Sequence, residues 1–115
     1  MKSGIRCEQQ DIVIVPFPFT DLSSTKQRPV LILSKNEYNQ KGGDVITCGI
    51  TSNLDNKEYS ILIDNSSLAE GSIPVKSRIK IDKLFTISKL LVRKKVAKLN
   101  NEQFESVKKE LFRLL

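Results

Sequence analysis

Histidine is absent from all 115 residues, and so is tryptophan. Without histidine the chain lacks the commonest general acid/base near neutral pH and the commonest zinc ligand. Any catalysis therefore falls to Arg, Lys, Asp, Glu, Ser, Thr, Tyr or Cys. Cysteine is scarce: Cys7 and Cys48 stand far apart and outside any CxxC pattern, which reads as two reduced thiols. No stretch approaches the roughly 18 apolar residues of a membrane span. The opening MKSGIRCEQQD has no apolar segment and no cleavage-site pattern, so no export signal is expected and the expected location is cytoplasmic. Internal repeats, low-complexity tracts, a phosphate-cradling glycine-rich loop and a metal-ligand cluster are also missing. The expected cofactor and metal complement is none.

What remains is ordinary globular material. Hydrophobic residues make up 39% and charged residues 28%, enough for one core and one domain spanning 1–115. The net charge of +6 is unevenly placed. Nine Lys/Arg (Lys76, Arg78, Lys80, Lys83, Lys89, Arg93, Lys94, Lys95 and Lys98) lie between Lys76 and Lys98 against Asp82 alone, whereas the rest of the chain holds ten basic and twelve acidic groups. A basic segment in one domain suits a polyanion or an acidic protein; a solvated basic face with no ligand is the plain alternative.

Short β-branched and aliphatic runs dominate the first 99 residues. Ile12–Val15 and Val30–Leu33 read as buried strands, Asp44–Thr51 as a third and Tyr59–Ile63 as a fourth. Ser72–Lys80, Asp82–Ile87 and Leu90–Val96 are further candidates, with turns over Ser52–Asn56 and Asn65–Gly71 and a loop with one helical turn over Asn36–Gly43. The period then changes. Asn100 caps a helix, with Gln103 in the reciprocal position; Phe104, Val107, Leu111 and Leu114 share one face, and Glu105 with Lys109 forms an i,i+4 pair outside. The pattern predicts a mainly β protein with helices: a five- to seven-stranded SH3-like barrel closed by a C-terminal helix.

The connection between the first two strands is long and polar. Pro16 and Pro18 cannot donate ladder hydrogen bonds, so pairing is expected to stop near Phe17. Phe17 and Phe19 point to opposite sides of an extended chain and at least one is expected to seal the barrel end, core packing being preferred to base stacking. Thr20, Ser23, Ser24, Thr25 and Lys26 follow, with Leu22 as the one apolar anchor. Such a stretch has little to bury and suits a mobile flap over an extended polyanion, or a plain solvated loop. Arg28 ends it, beside rigid Pro29. A fixed guanidinium suits a phosphate that gains charge in a transition state, and equally a surface ion pair.

DIVIVPFPFTD, KQRPVLILS, ITSN and IKIDKLFTI, in this order and spacing, resemble the MazF/PemK (Kid-like) toxins of type II toxin–antitoxin systems. The resemblance is strongest over Asp11–Ser34, fair over Val45–Asn53 and Ile73–Ile87, and thin in the final helix. It implies an SH3-like barrel of MazF/PemK/CcdB type, a homodimer, and a sequence-selective, metal-independent endoribonuclease acting on single-stranded RNA and held by a cognate acidic antitoxin. It assigns Arg28 and Thr51 to the family's catalytic arginine and threonine. The family's Arg-x-Asp acid–base pair is matched by Lys80-Ile81-Asp82, so Asp82 carries over and the arginine does not. Lys80 and Asp82 share a face on an extended strand. Thr20, Ser23, Ser24, Thr25, Lys26, Ser52, Asn53, Arg78, Lys80 and Lys83 are the expected substrate contacts. Family members usually begin the first strand with Gly-Asp, where this chain has Gln10-Asp11. A CcdB-like poison aimed at a protein, or an inactive RNA-binding barrel, are the competing readings, because one fold hosts several functions.

Overall fold

The computed structural model describes residues 5–18 and 25–115, with the backbone alone at Phe17, Pro18 and Thr25. Seven strands form one curled antiparallel sheet in the order β4-β6-β3-β2-β1-β7-β5. They are β1 Asp11–Pro18, β2 Thr25–Ile32, β3 Asp44–Thr51, β4 Ser60–Ile63, β5 Leu68–Gly71, β6 Ser77–Ser88 and β7 Lys94–Leu99. Helix α1, Asn36–Lys41, joins β2 to β3, and α2, Asn101–Leu114, follows β7. The mainly β architecture with a C-terminal helix is the one expected. No helix among the described residues is long and apolar enough to cross a membrane.

Alternation along the strands sends apolar residues to both faces of the sheet. Ile12, Leu31, Cys48, Ile79 and Ile81 fill the inside of the curl against Phe104 and Val107 of α2. Val13, Val15, Val30, Ile32 and Val45 form a second cluster on the other face, covered by Cys7 and Val92. Both cysteines are buried and free, and burial pushes the Cys48 thiol up to about 12.

Pairing does not stop near Phe17. It runs on through Pro16↔Gln27, Phe17↔Lys26 and Pro18↔Thr25, so Thr25 and Lys26 belong to β2, not to a loop. The prolines are tolerated because of which way their nitrogens point. Ile14 accepts from the Arg93 N–H on the β7 side, so Ile14, Pro16 and Pro18 all turn their backbone polar groups away from β2. Beyond Ile14 no β7 partner pairs with β1, and the two missing donors are not needed there.

Other elements moved. Asn65–Gly71 is a single 3₁₀ turn followed by β5, not a turn throughout. Ser72–Lys80 and Asp82–Ile87 are not two strands; β6 takes in both from Ser77, and the last strand begins at Lys94. On α2, the Asn100 side chain accepts from the Gln103 N–H at 2.8 Å, while the Asn100 N–H donates to Ser67 O rather than back to Gln103. Glu105 pairs with Lys108, one turn position short of Lys109.

Gln10 occupies the family's glycine position with φ 81°, the left-handed region that glycine enters without strain. Its amide offsets that strain by donating to Leu99 O at 2.8 Å and Asn101 Oδ1 at 3.2 Å. Next to it, Asp11 is fully buried, accepting from Lys98 at 2.9 Å and from the Glu8 N–H at 3.0 Å, with Lys95 at 3.2 Å.

Candidate active site

Arg28 is the fourth residue of β2, half-buried, and opposite Val15 of β1. It lies within a paired strand, not at the root of an unpaired loop. The β2–β3 register includes Val30↔Gly49; continued by two residues, it brings Arg28 level with Thr51, the last residue of β3. Both side chains line one cleft of about 550 Å³, with Lys26, Ser52 and Lys94 at its polar margin and Ile73–Val75 among its apolar walls. The Thr51 hydroxyl oxygen accepts from the Asn53 N–H at 3.1 Å. Its own hydrogen therefore points elsewhere and can be given to an anion.

Across β3 on the other side runs β6. Thr51 faces Arg78 and Gly49 faces Lys80, but Cys48 faces Leu84. Ile81, Asp82 and Lys83 are thus extra residues on β6, a bulge that breaks alternation and bends the strand. Lys80 and Asp82 do not continue a simple alternating face: Lys80 and Lys83 flank a groove of about 200 Å³ over Gly49 that Arg28 also lines. Asp82 stands exposed on the bulge and lines neither this groove nor the cleft holding Arg28 and Thr51. Arg78 is half-buried and donates to Leu54 O at 3.2 Å and Ser60 Oγ at 3.0 Å, bracing the segment between β3 and β4.

The other sequence candidates divide. Asn53 lines a small depression with Thr51, Arg78 and Lys80, and its side chain accepts from the Asp55 N–H at 3.0 Å. Thr20, Ser23 and Ser24, with Phe19, lie outside the described residues, as does the Thr25 side chain. Three groups were not singled out by sequence. Asp55 is the carboxylate in the depression beside Thr51, Lys94 lines the main cleft, and Phe85 lines the groove over Gly49. Asp55 sits in a turn whose register to β3 no motif marks, and Phe85 flanks Gly49 only because of the bulge, which the sequence does not show.

The basic segment proves to have two uses. Lys89 donates to Asn39 O at 2.6 Å, while Lys95 and Lys98 hold Asp11, Glu70 and Glu8. Those three charges serve the fold. Lys80, Lys83 and Lys94 instead ring the cleft and groove together with Arg28 and Lys26, and Arg78 lines the depression beside Thr51. A guanidinium and a hydroxyl on neighbouring strands, surrounded by ammonium groups, can hold an anion and favour a state in which its charge grows.

Against known proteins the outcome is consistent. No curated protein matches the chain by sequence. Among solved structures, MazE–MazF from Deinococcus radiodurans superposes with a TM-score of 0.78 at 18% identity, covering 96% of each chain. An endoribonuclease in complex with its cognate antitoxin, from a mycobacterial species, gives a TM-score of 0.73 at 16% identity, over 93% of this chain and 92% of that one. At these identities the likeness shows the fold. Residues 8–115 match the family described as the PemK-like, MazF-like toxins of type II toxin–antitoxin systems, and the chain belongs to that family.

Proposed function

We propose that the protein is a metal-independent, sequence-selective endoribonuclease that cuts single-stranded RNA, works as a homodimer, and is the toxin of a toxin–antitoxin pair. The observation that carries this reading is the placing of Arg28 and Thr51 on adjacent strands in one cation-ringed cleft. RNA brings its own nucleophile, the 2′-hydroxyl. Cleavage then needs a proton removed, charge held on the phosphorane and the leaving oxygen protonated. Arg28 holds the charge: a guanidinium stays protonated, so electrostatic stabilisation suits it better than proton donation. Thr51 adds one neutral hydrogen bond to a phosphate oxygen. Lys26, Lys80, Lys83 and Arg78 steer and seat the strand. Proton removal falls to a carboxylate, either Asp82, the family match, exposed on the bulge outside the cleft, or Asp55, which lines the depression beside Thr51.

The partner follows from the same charges. A peptide rich in Asp and Glu would occupy the cleft in place of RNA, and the antitoxin bound to the mycobacterial relative supports such a partner. The test is direct. Purified protein incubated with diverse single-stranded RNAs in EDTA should cut them and leave cyclic phosphate ends, and a 2′-deoxy nucleotide at the cut position should abolish cutting. RNA left intact across the panel, or cut equally at the deoxy position, would overturn the reading.

A further inference from the structure

The groove over Gly49 has a construction that phosphate binding alone does not require. Its floor is the Cα of Gly49, and a methyl group there would meet Lys83 Cβ and the Phe85 ring at 3.8 Å, an ordinary contact. The missing side chain is thus not demanded by crowding; it leaves open depth. Phe85 forms one wall, 36% exposed although it lies in a strand paired with β3. Its backbone is pinned, because the buried Thr47 hydroxyl donates to Phe85 O at 3.1 Å. Arg28, Lys80 and Lys83 line its rim, and among the described residues no carboxylate does. A held aromatic wall, an open floor and a cationic rim are the parts with which proteins grip single-stranded nucleic acid: bases stack on rings while cations follow the backbone.

We propose that this groove is a nucleobase subsite, in which one unpaired base near the scissile phosphate lies against the Phe85 ring while Lys80 and Lys83 hold the flanking phosphates. The inference rests on the reading of RNA cleavage above and adds a residue that selects or positions the strand. Arg28 joins the two sites, lining both the groove and the cleft that holds Thr51.

The experiment uses a short single-stranded RNA with a 2′-deoxy nucleotide at its mapped cut position, and copies carrying one abasic site at each neighbouring position. Binding is read by fluorescence anisotropy at fixed salt. The wild type should lose about tenfold in affinity when one particular base is removed, as expected for one stacked base. Phe85→Ala should bind the intact oligonucleotide about tenfold more weakly and become indifferent to that abasic site. Phe85→Tyr should behave as wild type, and Gly49→Ala, which fills the floor without a clash, should resemble Phe85→Ala. An unchanged abasic profile in Phe85→Ala, from a protein of unaltered melting temperature that still cuts RNA, overturns the subsite and leaves the enzyme intact. A changed sedimentation mass in that variant also overturns it, because Phe85 would then be holding a protein contact. If the wild type neither binds nor cuts RNA, the proposed function falls first.

Discussion

Arg28, Thr51 and the two nearby carboxylates carry most of the chemical argument. Arg28 and Thr51 gain their meaning from register, because each is one residue on a strand until the β2–β3 register, continued two residues past Val30↔Gly49, sets them level. The carboxylates are harder to rank. Asp82 is the family match and stands on the bulge; Asp55 lines the depression that Thr51 and Lys80 share. If Asp82 takes the proton, Asp82→Asn should lower kcat by about a hundredfold and remove the acidic limb of the pH–rate profile. Asp55→Asn should then leave kcat within about twofold and change KM alone, the mark of a group that only binds. The reverse ranking in single-turnover assays would move the base to Asp55.

Strand β3 was legible to the residue, Asp44–Thr51, because its alternating apolar run is bounded by Gly43 and by a polar turn. The C-terminal helix was legible as well, through Asn100 and the spacing of Phe104 and Val107. The bulge in β6 was not. Its three extra residues, Ile81, Asp82 and Lys83, show only in the pairing, yet they decide which side chains flank Gly49. The same limit applied to β1, where two prolines in a row of alternate positions looked like an end and were an edge. At Gln10, by contrast, sequence marked the place and structure explains it: a glycine site filled by a residue that binds Leu99 and Asn101 to remain there. Gln10→Ala keeps the left-handed strain and loses those bonds, whereas Gln10→Gly loses the bonds and the strain together. Chemical denaturation should therefore find Gln10→Gly more stable than Gln10→Ala by about 1 kcal/mol. Equal stabilities would mean that the turn relaxes in solution.

Charge organises the whole molecule, with cations on one side for a ligand and on another for the fold. Around Asp11, the turn at Glu8, β1, β5 and β7 meet through Lys95 and Lys98. The Lys98 hydrogen bond holds the Glu8 carboxyl below its usual range. Its contribution is thus present at neutral pH and is lost as pH falls through the folded value. Burial pulls the Lys95 ammonium down, but Asp11 and Glu70 outweigh it and leave it raised, so its contribution is lost as pH rises past the usual lysine range. The melting temperature should be flat over roughly pH 5 to 9 and fall on both sides. Lys98→Met should cost about 3 kcal/mol, the lower end for stripping one partner from a buried charge, since Asp11 keeps Lys95 and the Glu8 N–H. A melting temperature that holds steady down to pH 3 would contradict this. The catalytic side of the charge map has a sharper test, the single-turnover rate at which Arg28→Ala cuts a saturating single-stranded RNA in EDTA, with folding and wild-type solution mass verified. Loss of the guanidinium should slow cutting by about a hundred- to a thousandfold, the scale of a lost transition-state donor, while RNA is still bound. Cutting at the wild-type rate would show that Arg28 does not carry the reaction, and toxicity retained alongside it would point to a protein target instead.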